Sequence, residues 1–393
     1  MDTKEVAMVD KATARTATAR VVTDINRTAV LDALAHAGPL SRNALREHTG
    51  LSPVTIKRLC TALLDEGLIV QVGTEKSQGG RPSHLYRFAS ERRVIITAEV
   101  TVDGPRAMLV GVDGSAGDRE SRPVQPDTGA DVMLATTLEL IGTLLTRAQT
   151  LNRTVLGIAL SVPGVVDREG RVSNSVELGW QQLAVGPVVE HRFGLPCLVE
   201  NDANAIAIGE WAHGAGAGTD SLVSVVLGVG IGAGLVSDGR LVRGTRSGAG
   251  KIGHLLTGLD SFDKLFVQQG DLESHIGDTA ARYRGDRRVL GVARVLDAAD
   301  AGHASARGLA DKLLNYLALS VAALSTVLDP EVIVFSGQLP QDPAGLVRAL
   351  EQRLTGRIPF IPRLVAGRLG ADAAMLGVGE LLARRTKGAV YLS

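Results

Sequence analysis

The segment Ser52-Pro53-Val54-Thr55-Ile56-Lys57-Arg58 puts a helix-capping hydroxyl, a helix-starting proline and two adjacent cations into one short stretch. Ser52 suits the N-cap, and Pro53 suits the first helical position, where its missing N–H costs nothing. Ile56, Leu59, Cys60, Leu63 and Leu64 recur at helical spacing, so one face is buried and Cys60 is a core residue rather than a reactive thiol. The opposite face shows Val54, Thr55, Lys57, Arg58 and Thr61. A recognition helix meets base edges with its first turns and phosphates with flanking cations, so this face suits a DNA major groove. The candidate DNA contacts are Ser52, Pro53, Thr55, Lys57 and Arg58, with Ser41 and Arg42 at the start of the preceding helix and Arg81 in a later loop.

Other elements must present that helix. Ile25, Ala29, Leu31, Leu34 and Ala35 form the apolar stripe of a first helix, ended by Gly38-Pro39. Ser41 caps a short second helix, and Thr49-Gly50 swings it across the first. After Gly67, expected strands at Leu68–Val72 and His84–Phe88 flank a loop containing Lys76 and Gly79-Gly80-Arg81-Pro82. This is a wing whose Arg81 can reach a minor groove. Three helices alone would also suit a protein-interaction module; the turn glycine, the capped third helix and the basic wing together favour DNA. Residues 21–90 are therefore read as a winged helix-turn-helix. Residues 1–20, rich in Ala, Thr, Lys and Arg without a period, are read as a flexible tail.

At 393 residues the chain needs more than one core. Aromatics are only 3% of it, so those cores must rest on Leu, Val, Ile and Ala. There is no apolar run of about 18 residues and no charged-then-apolar leader, so a cytoplasmic protein without membrane contact is expected. Cys60 and Cys197 are the only cysteines, too few for a disulfide framework or a cysteine-rich metal site. Net charge is zero, which argues against a general nucleic-acid coat. Residues 1–93 nevertheless carry +4 and residues 94–393 carry −4, which places a polyanionic partner at the front.

From Arg93 the pattern is α/β. Strands are expected at Val94–Val102, Arg106–Val112 and Val155–Val162, with a turn at Asp113-Gly114 and a helix over Val132–Leu151. A short strand at Leu198–Glu200 leads into Asn201-Asp202-Ala203-Asn204 and a helix. A second set, Leu222–Leu227, Gly232–Val236 and Leu241–Arg243 around Asp238-Gly239, echoes the first. Helices over Ala310–Leu328, Leu346–Leu354 and Ala373–Arg385, with a strand at Val332–Phe335, complete two related lobes, about 91–205 and 206–393, with a cleft between them.

These residues resemble the ROK regulators (repressor, open reading frame, kinase) over about residues 24–386. The first domain matches through "GPLSRNALREHTGLSPVTIKRLCTALLDEGLIV" and "GGRP". The second matches through "SVPGVVD", "LGW", "ENDANA", "GVGIGAG", "DGRLVRG" and "GKIGH", in the family's order. The resemblance implies a sugar-kinase-like domain over 91–393 with an actin/hexokinase-like (ribonuclease H-like) ATPase-type fold and a sugar pocket between its lobes. It also implies a homodimer or homotetramer on a palindromic double-stranded DNA operator.

The departures from the family separate regulator from kinase. The kinases' phosphate-binding Asp-x-Gly-Gly-Thr turn aligns here with Glu99-Val100-Thr101-Val102-Asp103, which has no glycine, and side chains there would block close approach to a phosphate. The adenosine-side cluster is reduced to Ser336-Gly337-Gln338. The run Gly228–Gly234 has Val229 where the family has Thr, and fails the dinucleotide spacing at Ala233. It is either a nucleotide contact or a glycine-lined bend packed on a neighbouring strand. Asp202 matches the kinases' general base and is equally useful as a plain acceptor for a sugar hydroxyl.

The candidate ligand contacts are Glu177, Asn201, Asp202, Lys251, His254 and Glu273. The family's zinc cysteines are replaced by residues 264–271, so no metal is expected, and no cofactor. His254 is then either a sugar contact or an ordinary satisfied histidine. Lys251 stands where the family has a sugar-accepting Glu, and Glu177 where it often has Asn. Either Lys251 pairs with Glu177 or Glu273 and fills the pocket, or it meets an acidic or phosphorylated sugar. The expectation is a repressor of carbohydrate-related genes, not an enzyme, governed by a small-molecule effector that is a sugar or an anionic sugar derivative. A sugar kinase with a vestigial DNA-binding domain, and a regulator controlled by a protein partner, are the alternatives.

Overall fold

The computed structural model describes residues 22–35, 37–75, 83–125, 128–266, 269–281 and 291–392. The first helix, α1, covers residues 22–35. Its buried stripe is Val30, Leu31 and Leu34; Ile25, expected on it, is 62% exposed. A short strand β1 (Leu40–Ser41) precedes α2 (Arg42–Thr49), which ends on Gly50 at φ 68°. The third helix α3 (Pro53–Asp65) follows, with Ile56, Leu59, Cys60 and Leu63 buried. Strands β2 (Ile69–Glu75) and β3 (Ser83–Phe88) form the wing's antiparallel pair. β1 adds to β3 as a third strand that the sequence pattern did not disclose, because two residues carry no period.

The remainder is two five-stranded sheets. The first uses β4 (Arg93–Thr101), β5 (Gly104–Gly111), β6 (Ala116–Ser121), then α4 (Ala130–Thr150), β7 (Thr154–Val162) and β11 (Cys197–Asn201). Between β7 and β11 lie a small sheet of β8 (Val165–Val166), β9 (Val172–Ser175) and β10 (Trp180–Leu183), and α5 (Val185–Phe193). The helix α6 (Asp202–His213) leads to the second sheet. That sheet uses β12 (Leu222–Leu227), β13 (Ile231–Ser237) and β14 (Arg240–Leu241). Then come α7 (Asp271–Ala280), α8 (Val292–Asp300), α9 (Ala304–Leu328), β15 (Val332–Gly337), α10 (Pro343–Leu354), β16 (Arg363–Ala366) and α11 (Ala373–Leu392).

Strand order in the sheets is β11-β7-β4-β5-β6 and β14-β13-β12-β15-β16. Numbered within each sheet, both read 3-2-1-4-5: three antiparallel strands, then two parallel additions. The expected internal repeat is thus a repeat of topology. The last helix does not stay with the second sheet: Ala374, Val378 and Leu382 of α11 pack with Ile95 and Ala159 of the first. α6 packs the other way, placing Ala207 and Ile208 against Leu222, Val236, Val332 and Val334. The two helices are pressed together between the sheets, since a methyl group on Gly377 would meet the Ala205 carbonyl oxygen at 1.8 Å. Among the described residues only α9 is long and apolar enough to cross a membrane. Its Leu313, Leu317 and Val321 are fully buried in the core of the second sheet, the position of an interior helix.

Candidate functional site

Two surfaces carry the candidate residues. On α3, the Ser52 hydroxyl accepts from the Thr55 N–H at 3.2 Å and sits 2.9 Å from the Thr55 hydroxyl, so both residues build the cap. Pro53, Val54, Lys57, Arg58 and Thr61 are exposed, and Val54, an apolar residue 78% exposed, stands at the first turn. Ser41 and Arg42 stand apart from this face. Ser41 is buried and accepts from Ala44 N–H at 3.3 Å as the cap of α2. Arg42 is folded back with its guanidinium 5.3 Å from the Tyr86 ring centre and beside Cys60, whose thiol burial holds at a raised pKa. Arg81 and Lys76 lie outside the described residues.

The second surface is a cleft of about 1290 Å³ between the two sheets, and all six candidate ligand contacts line it. Glu177 hangs from the β9–β10 turn, which Trp180 anchors by donating from Nε1 to the Ala130 carbonyl at 3.1 Å. Asn201 caps α6: its Oδ1 accepts from Asn204 N–H at 3.2 Å, while its Nδ2 donates to the Gly164 carbonyl at 2.8 Å and to Asp202 Oδ1 at 2.7 Å. Asp202 Oδ1 also accepts from Ala203 N–H at 2.9 Å. Lys251 and His254 come from the opposite wall, and Glu273 from the first turn of α7, where its Oε2 accepts from Ile231 N–H at 3.4 Å.

Charge is crowded here. Burial raises the Asp202 pKa, with the Ala203 N–H and Lys251 pulling the other way. Burial raises that of Glu273 too, against the Ile231 N–H, His254 and Lys251. Glu177 faces the open cleft but is walled by protein on its other sides. Burial, then repulsion by Asp202 and Glu273, push its pKa up to about 7 against the attraction of Lys251. Lys251 thus lies within Coulomb reach of three carboxylates, yet among the described residues it forms no ion pair with either Glu177 or Glu273. Of the two alternatives for Lys251, the pocket-filling pair is not made. Lys251 and His254 are both exposed to the cleft, so His254 is not an enclosed core histidine.

The glycine run is partly explained by packing, against a helix rather than a strand. A methyl group on Gly234 would lie 2.3 Å from the Ala203 carbonyl oxygen of α6, and one on Gly230 would lie 2.8 Å from Glu273 Oε2; Gly228 has open space. At the degraded phosphate turn, the Thr101 hydroxyl donates to the Gly104 carbonyl at 3.0 Å and accepts from Asp103 N–H at 3.3 Å. Beside it, Glu99 forms an ion pair with Arg106.

The segment after His254 does not fit a zinc ion. Among the described residues no three His, Cys, Asp or Glu side chains converge on one point. The loop is tied instead by Asp271 Oδ2, which accepts from Thr257 N–H at 2.7 Å, Thr257 Oγ1 at 2.8 Å and Ser261 Oγ at 2.6 Å. Two further groups escaped sequence reasoning. Glu200 is buried and receives Arg243 from the end of β14 in the second sheet; the two stand inside the motifs "ENDANA" and "DGRLVRG", but nothing in their spacing pairs them. Asp271 opens a helix and reads as an ordinary first-turn acid.

Comparison with known proteins agrees with this architecture. The chain is 26% identical to the xylose repressor of Caldicellulosiruptor bescii over 331 residues, covering 80% of this chain and 83% of that protein. A crystal structure of a ROK family transcriptional regulator, a homologue of the E. coli MLC protein, superposes with a TM-score of 0.76 at 24% identity, covering 94% of this chain and 98% of that one. The ROK hexokinase from Thermus thermophilus superposes with a TM-score of 0.62 at 25% identity, covering 99% of the hexokinase but 75% of this chain. The ROK family pattern itself matches residues 102–385. The chain belongs to the ROK family.

Proposed function

We propose that this protein is a sequence-specific DNA-binding repressor of carbohydrate-related genes whose operator affinity is set by a small molecule in the cleft. The observation that carries the reading is the union, in one chain, of an exposed, capped α3 bearing Lys57 and Arg58 with a cleft lined by the six candidate ligand contacts. Similarity to a xylose repressor and to a ROK transcriptional regulator supports it, since both extend over most of the chain. Ser52, Pro53, Thr55, Lys57 and Arg58 of α3, with Arg81 of the wing, are the groups assigned to DNA. The partner is double-stranded DNA, and a homodimer or homotetramer would set two α3 helices at the spacing of a palindrome.

The kinase alternative is disfavoured by the same turn that family kinases use for phosphate. Thr101 takes the Asp103 N–H, the Glu99–Arg106 pair stands beside it, and the turn carries side chains where the family kinases have glycine, which leaves a poor cradle for the charge of phosphoryl transfer. Asp202 then serves as an acceptor for a ligand hydroxyl. Lys251, which forms no ion pair among the described residues, offers its three donors to the ligand rather than closing the pocket.

A mobility-shift titration of the DNA upstream of its own gene, with and without D-xylose, D-glucose, glucuronate and glucose 6-phosphate, tests the reading. Salt-sensitive, sequence-preferring binding that one sugar class weakens is the expected result. Sugar-dependent ADP release abolished by Asp202→Asn would instead establish the kinase.

A further inference from the structure

The helix α6 has the cleft at one end and the DNA-binding domain's seat at the other. Asn201 and Asp202 stand at its N-terminus; His213 is its last residue, about 18 Å away at the usual rise per residue. His213 rests on the β5–β6 turn, which joins the two strands by residues 112–115. Gly114 there adopts φ +80°, and a methyl group on it would come within 2.3 Å of His213 Cε1, so only glycine admits the ring. The two residues before it face the other way. Val112 packs on the winged-helix core formed by residues such as Leu63, Leu68 and Tyr86. Asp113 receives hydrogen bonds from Ser115 and from Ser90. Ser90 begins the short segment joining β3 to β4, where Arg87 is held to Glu91 at 2.7 and 2.8 Å.

We propose that His213 is a positioning residue, through which displacement of α6 by a ligand at Asp202 is passed via the Gly114 turn to the winged helix. The proposal rests on the repressor reading for its purpose, though not for its mechanics. α6 is a single helix clamped on α11, and His213 Nε2 lies 3.4 Å from Glu380 of that helix. Movement at Asp202 therefore cannot be absorbed by bending at the far end. The turn is small and close-packed on both sides: it either follows His213 or loses contact with it. A ligand that prefers one α6 position thereby biases the orientation of α3, as coupling between sites requires.

Hydrogen exchange on the full chain tests this without operator or sugar, so failure here is separable from failure of the repressor reading. Asp202→Asn perturbs the cleft end. In the wild-type background it should change exchange of the amides at 89–93 and 111–115 by about two- to thirty-fold, the usual range of coupling through a packed network. In a His213→Ala background that response should vanish while amides 203–206 still respond. Asp113→Ala, at an exposed position, removes the acceptor of Ser90 and Ser115, breaks the path one step later and should give the same loss if His213→Ala fails to fold. His213→Gln, which keeps a ring-length side chain on Gly114, should retain part of the response. An equal response in all backgrounds, or none in the wild type, overturns the proposal.

Discussion

Arg243, which follows β14 of the second sheet, donates from both Nε, at 2.8 Å, and Nη2, at 2.7 Å, to the Oε2 oxygen of buried Glu200 on β11 of the first. The other oxygen of Glu200 accepts from Asn201 N–H at 3.0 Å and Asn204 Nδ2 at 2.9 Å. The carboxylate therefore fixes the floor carrying Asn201 and Asp202 to the loop that leads to Lys251. Removing Arg243 leaves a buried charge without its cation. Arg243→Ala should destabilise by on the order of 1–3 kcal/mol, less than for a fully enclosed pair because the arginine keeps partial solvent contact. Thermal melting measures this. Glu200→Gln should destabilise as well, because whichever way the amide is turned its NH2 meets donors, either Arg243 or the Asn201 N–H and Asn204 Nδ2.

Glu177 gives the cleft a pH signature. Its folded pKa, about 7, lies above the ordinary glutamate value of 4.5. The native state therefore holds this proton where the unfolded chain has lost it, and stability from this source is full below about 4.5 and is lost as pH rises through about 7. Glu177→Gln, which mimics the protonated form, should raise the melting temperature relative to wild type at pH 8 and leave it unchanged at pH 4.5. Lys251→Met should act oppositely at pH 8, since Lys251 opposes the raised pKa values of Glu177, Asp202 and Glu273. A melting difference independent of pH would remove the electrostatic account.

Asp271 ties the loop after His254. Hydrogen bonds from Ser261 and Thr257, with His275 nearby, outweigh its burial and hold its pKa below the usual aspartate value. Its contribution is present above pH 3.8 and is lost as pH falls through the lower folded value. Asp271→Ala strands three donors and should cost roughly 2–4 kcal/mol. Added zinc should not restore the melting temperature, and a zinc-dependent recovery would contradict the assignment.

On the DNA side, Arg58→Ala should weaken operator binding and reduce the slope of log affinity against log salt by about one. Arg42→Ala should behave differently. Its guanidinium lies over Tyr86, so the variant should lower the melting temperature, by roughly 0.5–1 kcal/mol of cation–π contact, and leave the salt slope intact. A titration of both variants at several salt concentrations distinguishes the two roles.

What the sequence disclosed follows from the range over which each signal acts. α3 was legible because cap, proline and apolar period all lie within its own turns, and an internal repeat was legible as two similar strand sets, though not its 3-2-1-4-5 order or the edge strands β6 and β16. β8, β9 and β10 were not, being two to four residues long and without a readable period. Nor was the return of α11 to the first sheet, since its apolar face would fit either. The cleft-lining candidates were legible through family motifs, whereas Arg243–Glu200 and His213–Gly114 are contacts between distant segments that no local pattern encodes. Lys251 shows the limit most sharply: its type left a pair or an anionic ligand open, and only the geometry of the cleft shows that among the described residues it pairs with neither Glu177 nor Glu273.

The central claim is that one chain both grips an operator and releases it in response to a cleft ligand. The most direct measurement is operator affinity, by fluorescence anisotropy on the upstream DNA, across a titration of D-xylose and the other probe sugars. The account predicts that at least one sugar lowers affinity by about five- to 150-fold, and that Asp202→Asn abolishes this response. Operator affinity that no probe sugar alters, or a sugar response that persists in Asp202→Asn, would contradict it.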